Sequence, residues 1–339
     1  MSTPFFPFDK IIKEERNLLF EWFAKKKFET NDLLRILKLL AESYPRCGVF
    51  LLFGSCFGQW ENIQNQIAME FKIIGFVDLD FNEDYIAFEN LLHELYCDPL
   101  WQDSVLMHKI RLLKTMPLQV RVILLTNDND DCTVDAFYDS IRNFQQQMFN
   151  ANDFETDNVQ ILMQSTDTRE EFVRVKNIIL SPNNILNLTR RISRDYSKDL
   201  VTRINRAKVL LDKNCIHHED IVVVGSSVLE VFGIRQAIDL DIAVRKSYRE
   251  RWGNDYLQWE DDIEYIRLDS IVHKNGIVYP DDVIIDDDNL HFMFYGLKFL
   301  NLELLKGKKE HDWREKDIQD IKLIEVFQNY KKNCNTKLN

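Results

Sequence analysis

Two short apolar runs in the second half, IVVVG (Ile221–Gly225) and IDLDIAV (Ile238–Val244), most constrain what this chain can fold into. The first closes on Gly225-Ser226, twelve residues follow, and the second then carries Asp239 and Asp241 on either side of Leu240. Runs this short and this apolar, ended by glycine or a turn, read as buried strands. Alternation along a strand places Asp239 and Asp241 on one face and sends Ile238, Leu240 and Ile242 into the core. Two carboxylates held that close repel each other unless a cation intervenes, and hard oxygen ligands suit Mg²⁺. Gly225 lets the backbone approach an anion with no Cβ in the way. Ser226 and the backbone N–H groups opening the next helix can donate to that anion.

Strand, Gly-Ser, a dozen residues, then acid, apolar residue, acid: this order resembles the signature of the DNA polymerase beta-like nucleotidyltransferase superfamily. The likeness runs from about Ile221 to Glu325, roughly a third of the chain. It implies a helix-flanked mixed sheet in which Asp239 and Asp241 are both catalytic residues and metal ligands, while Gly225 and Ser226 bind the nucleotide. It further implies two Mg²⁺ ions (Mn²⁺ as a substitute), a nucleoside triphosphate as substrate, and transfer of a nucleoside monophosphate by in-line attack on the α-phosphorus.

Further on, LKFLNLELLKGKKEHDWREKDIQDIKLI resembles the closing helices of small members of that superfamily, with Lys306, Arg314, Lys316, Asp317 and Asp320 at the matching positions. Lys306, a flexible point charge, is a candidate partner of the triphosphate, and a solvated face of Lys306, Lys308 and Lys309 is the equal alternative. Asp317 and Asp320 share a helix face and can pair with a nearby Arg or Lys, which makes them a support of the fold as readily as a substrate contact. The family's third acid stands on a neighbouring strand and often acts as general base. Five residues compete for that place: Glu264 and Asp269 in DIEYIRLDSI, and Asp286, Asp287 and Asp288 before LHFMF.

The first half repeats the theme loosely. VFLLFG-Ser55 is followed by FVDLDF, so Gly54-Ser55 matches Gly225-Ser226 and Asp78 and Asp80 match the acid pair. The spacing, however, is twenty-two residues, and Arg121 stands where an acid is expected. Candidate strands at Val49–Gly54, Ile73–Phe81, Val120–Thr126 and Val159–Gln164 alternate with helical stretches, DYIAFENLLHELY and VDAFYDSIRNFQQQMF among them, as in a sheet covered by helices. Ahead of them, IIKEERNLLFEWFAKK and NDLLRILKLLAES read as helices. The polar stretch Ser181-Pro182-Asn183-Asn184 reads as a turn and marks the boundary. The expected fold is therefore α/β (α+β), with domains at 1–182 and 183–339, the first a degenerate copy of the second or a chance resemblance.

Bulk properties narrow the function. At 339 residues the chain can bury a substantial core, and its net charge of -12 opposes a long nucleic-acid partner, which binds through Lys and Arg. No run approaches the roughly 18 apolar residues that span a bilayer, so the expectation is a cytoplasmic protein with no membrane partner. The six cysteines are too scattered for a zinc site or a disulfide framework. His217-His218 lack a third ligand, while NDNDDC and IIDDDN lack the glycine and glutamate of a regular calcium loop. The 23 phenylalanines fall at core-like spacing. Three functions stay open: an enzyme carrying a nucleoside monophosphate to a small-molecule acceptor (sugar or antibiotic-like) or a protein; a non-catalytic nucleotide-sensing or protein-binding module; and an enzyme whose main chemistry lies in the first half.

Overall fold

A computed structural model describes residues 30–82, 84–96, 103–127, 132–151, 163–191, 198–252, 258–266, 270–273 and 275–335. The expected helix at IIKEERNLLFEWFAKK, most of the strand at Val159–Gln164, most of NDNDDC, and Asp269 lie outside these residues. The chain divides into two compact units: Met1–Tyr85 with Asp103–Pro182, and Ile86–Gln102 with Asn183–Asn339. The second unit thus takes in a stretch that continuous domains would leave in the first. Ser181–Asn184 is not a simple turn, because a helix runs from Pro182 to Leu188. Proline suits its first position, where an N–H would have no partner inside the helix.

In the first unit, β1 (Cys47–Phe53) and β3 (Gln119–Thr126) are buried along nearly their whole length, as continuous apolar strands covered on both faces must be. With β2 (Lys72–Asp80) and β4 (Met163–Ser165) they form an entirely antiparallel sheet in the order β2-β3-β1-β4. Helices Thr30–Ser43 and Arg169–Ile179 pack on β2 and β1. Phe50, Phe71 and, from helix Val134–Ala151, Phe137 and Phe144 meet edge to face or tilted in the core.

The second unit is built on β5 (Ile221–Val224), β6 (Leu240–Val244), β7 (Gln258–Glu260), β8 (Ile263–Ile266), β11 (His291–Phe294) and β12 (Leu297–Leu300), in the order β11-β12-β5-β6-β8-β7. This sheet is mixed: β12–β5 and β6–β8 are parallel, and the remaining neighbours are antiparallel. LHFMFYGLKFL is a hairpin turning at Tyr295-Gly296, both at positive φ (53° and 73°), the twist that two-residue hairpin turns prefer. Strands β9 (Ser270–Val272) and β10 (Val278–Pro280) form a separate antiparallel pair. Helix Lys198–Lys213 buries Leu200, Ile204, Ala207 and Leu211, spaced to form one face, in the core shared with β5 and β6. Helices Leu302–Asp312 and Glu315–Asn335 pack on each other and close the unit.

The two sheets are not copies. In the second unit the strand ending at Gly225 pairs directly with the strand of the acid pair. In the first unit β3 lies between their counterparts β1 and β2. The repetition of Gly-Ser and Asp-Leu-Asp in the first half is therefore a resemblance of short motifs on a different strand order. Among the described residues, no helix is long and apolar enough to cross a membrane.

Candidate active site

Strand register assembles the acids. Val224 of β5 stands opposite Asp241 of β6, and Asp241 stands opposite Glu264 of β8. Asp239 lies one residue ahead of β6, yet its carboxylate joins the others. Asp239, Asp241 and Glu264 each present an oxygen within 4.8 Å of the other two. Of the four described candidates for a third acid, Glu264 is the one brought to the pair. Asp286 is gripped by Arg245 through Nη2 at 2.5 Å and Nη1 at 3.1 Å, and those hydrogen bonds hold its carboxyl below the usual range. Asp287 accepts from the backbone and side-chain amides of Asn289, and Asp288 lies 3.7 Å from His291.

Ile238 does not enter the core. Regular strand begins only at Leu240, and Ile238 stands 86% exposed at the rim. Only from Leu240 onward does alternation hold, with Leu240 and Ile242 fully buried.

Gly225 is required twice over. Its φ is +74°, and a Cβ there would stand 2.0 Å from an Asp241 carboxylate oxygen. The acid occupies the space that the missing side chain leaves. Ser226 turns its hydroxyl toward Asp239, with Oγ 3.4 Å from Oδ1, and Ser227 donates to the Asp239 carbonyl at 2.6 Å. The helix that follows, Ser227–Val231, is only five residues long, so the expected anion-binding helix end amounts to little more than one turn.

Gly225, Ser226, Asp239, Asp241 and Glu264 line a cleft of about 500 Å³ that is also lined by a cationic wall: Arg235, Lys308, Lys309, Arg314 and Lys316. Lys306 is not on that wall. Its ammonium lies 3.1 Å from Glu325 and 3.7 Å from Glu310, because one step along a helix turns a side chain through about 100°. Most of the cations in the cleft are themselves tied down. Lys309 bridges Asp317 at 3.0 Å and Asp320 at 2.7 Å. Arg314 binds Asp317 through Nε at 2.6 Å, and Arg235 grips Asp320 through Nε and Nη2 at 2.6 and 3.0 Å. Asp317 and Asp320 are buried, so they serve as anchors for the cationic wall. Lys316 is exposed, lines the cleft and makes no ion pair among the described residues.

Burial pushes the Asp241 carboxyl up to about 7, and the neighbouring charges of Asp239 and Glu264 push the same way. Three crowded oxygen donors, one of them partly desolvated, form the donor set of a hard divalent cation, and the residues present fit one. Among the described residues this is the sole group of three metal-competent side chains. His218 instead pairs with Asp212 at 3.0 Å. Asp78 and Asp80 belong to no such group. Asp78 is held by Arg121 through Nε and Nη2 at 2.8 and 2.9 Å, while Asp80 accepts from the Asn82 amide and from Gln119.

Sequence reasoning missed Arg235, Lys308 and Lys309 as cleft residues. A partial signal existed for the lysines, because Lys308 and Lys309 stand three and four residues after Leu305 on one helix. Compared with known proteins, the chain matches no family model, no curated protein and no solved structure.

Proposed function

We propose that the second unit is a divalent-cation-dependent nucleotidyltransferase that moves a nucleoside monophosphate from a triphosphate to a hydroxyl on a small molecule or protein. The observation that carries this reading is the convergence of Asp239, Asp241 and Glu264 in a cleft also lined by Lys and Arg. Acids alone would suit a cation and cations alone would suit an anion. Both in one cleft suit a phosphorylated ligand that arrives with its metal.

Asp239, Asp241 and Glu264 would hold Mg²⁺, which when bound polarises phosphoryl oxygens and neutralises developing charge. Lys316 and the exposed guanidinium of Arg314 contact the phosphates, and Arg235 and Lys309, fixed by buried acids, keep that side of the cleft positive. Glu264 would also accept the proton of an attacking hydroxyl. The cleft volume lies within the usual range for small-molecule sites, about 300–1,000 Å³. A third acid in register beside the pair supports the catalytic reading over that of a non-catalytic module.

The test is transfer of α-labelled nucleotide, with Mg²⁺, to a panel of hydroxylated small molecules and to the protein itself. Transfer by the wild type, reduced a hundredfold or more in E264Q with nucleotide binding kept, is the expected result. Unaltered triphosphate with every acceptor would reject catalysis.

A further inference from the structure

Ile238 is an isoleucine in the wrong place for packing. It lines the cleft beside Asp239 and is 86% exposed. Its outward direction is built in, because a buried clamp fixes the backbone on which it sits. Arg203 donates from Nη1 to the carbonyls of Ala237 at 2.9 Å and Ile238 at 3.0 Å, and from Nη2 to Glu230 at 2.7 Å. The same Glu230 oxygen accepts from the Ala237 amide at 3.0 Å. Burying a charged pair costs desolvation, and here the pair fixes a segment whose side chain is turned outward and lines the cleft. Ile266 and Leu305 also line that cleft, so its apolar surface adjoins the acids and cations. A ligand matched to both parts needs phosphates at one end and a flat, weakly polar body at the other. A nucleoside triphosphate has that division, and an aliphatic side chain offers its ring a contact with no directional preference.

Resting on the reading of the site proposed above, we infer that Ile238 is a specificity-determining residue on which the base of the bound nucleotide packs. Through it the cleft distinguishes a nucleoside triphosphate from bare polyphosphate. Because an isoleucine makes no directional hydrogen bond, its contact contributes affinity for every base alike.

The experiment is calorimetry of the full chain, wild type, I238A and I238V, with two probes: magnesium tripolyphosphate, and each of the four magnesium nucleoside triphosphates. Wild type is expected to bind the nucleotides more tightly than tripolyphosphate. In I238A the nucleotides weaken about tenfold or more, as loss of a well-buried aliphatic contact predicts. Tripolyphosphate stays unchanged in I238A, and I238V lies between. Equal weakening of both probes, or no change in nucleotide affinity, overturns the inference and leaves the phosphate site standing. Failure of wild type to bind either probe rejects the underlying reading, and the inference with it. Thermal melts of each variant confirm folding, which an exposed side chain is expected to leave intact.

Discussion

Gly225 joins backbone conformation to chemistry. An alanine there must hold φ near +74° and must also displace the Asp241 carboxylate that fills the space beside the glycine. The left-handed strain is worth roughly 1–2 kcal/mol, and the displaced acid leaves the triad. G225A is therefore expected to melt several degrees lower and to bind Mn²⁺ at least tenfold more weakly, measured by paramagnetic resonance of the free ion. Unchanged Mn²⁺ affinity would show that Asp241 is not a ligand. At this scale the sequence is legible, since a strand closed by Gly-Ser and an alternating acid pair are local features. Glu264 is not legible. It is chosen by the parallel register of β6 on β8, and a slip of one residue would turn it to the other face.

Among the elements, the closing helices show how a cationic wall is kept on an acidic protein. Asp317 is buried, which by itself raises its carboxyl, but hydrogen bonds from Arg314 and Lys309 outweigh burial and bring it down to about 2. A carboxyl whose folded value is depressed adds stability that is fully present above its unfolded value, near 4, and is lost as pH falls toward 2. The contribution is on the order of 2 kcal/mol. Thermal melts between pH 5 and pH 2 are expected to show a loss of that size in wild type and a flatter profile in D317N, which starts lower. Parallel profiles would mean that this network does not govern acid stability. Sequence spacing shows that Asp317 and Asp320 share a face. It cannot show that Lys309 rather than Lys306 reaches them, because that depends on the rotation of one helix against the other. The start of β6 escapes for a similar reason. Ile238 continues the strand pattern, but the buried clamp of Arg203 on its backbone is set by a distant helix.

Across the whole molecule, two sheets with similar short motifs have different strand orders, and the difference decides which acids meet. Where β5 and β6 are neighbours, Asp239 and Asp241 join Glu264. Where β3 intervenes, Arg121 faces Asp78 across the ladder and binds it. The Gly-Ser and Asp-Leu-Asp words were legible in both halves. Their consequence was not, because strand order depends on how distant segments pair.

The most direct measurement of the central claim is calorimetry of a nucleoside triphosphate, with and without Mg²⁺, on three proteins: wild type, D239N/D241N and D78N/D80N. Mg²⁺-dependent binding that is abolished in D239N/D241N and intact in D78N/D80N is the expected result. Binding that ignores Mg²⁺, or that survives in D239N/D241N, would contradict the account.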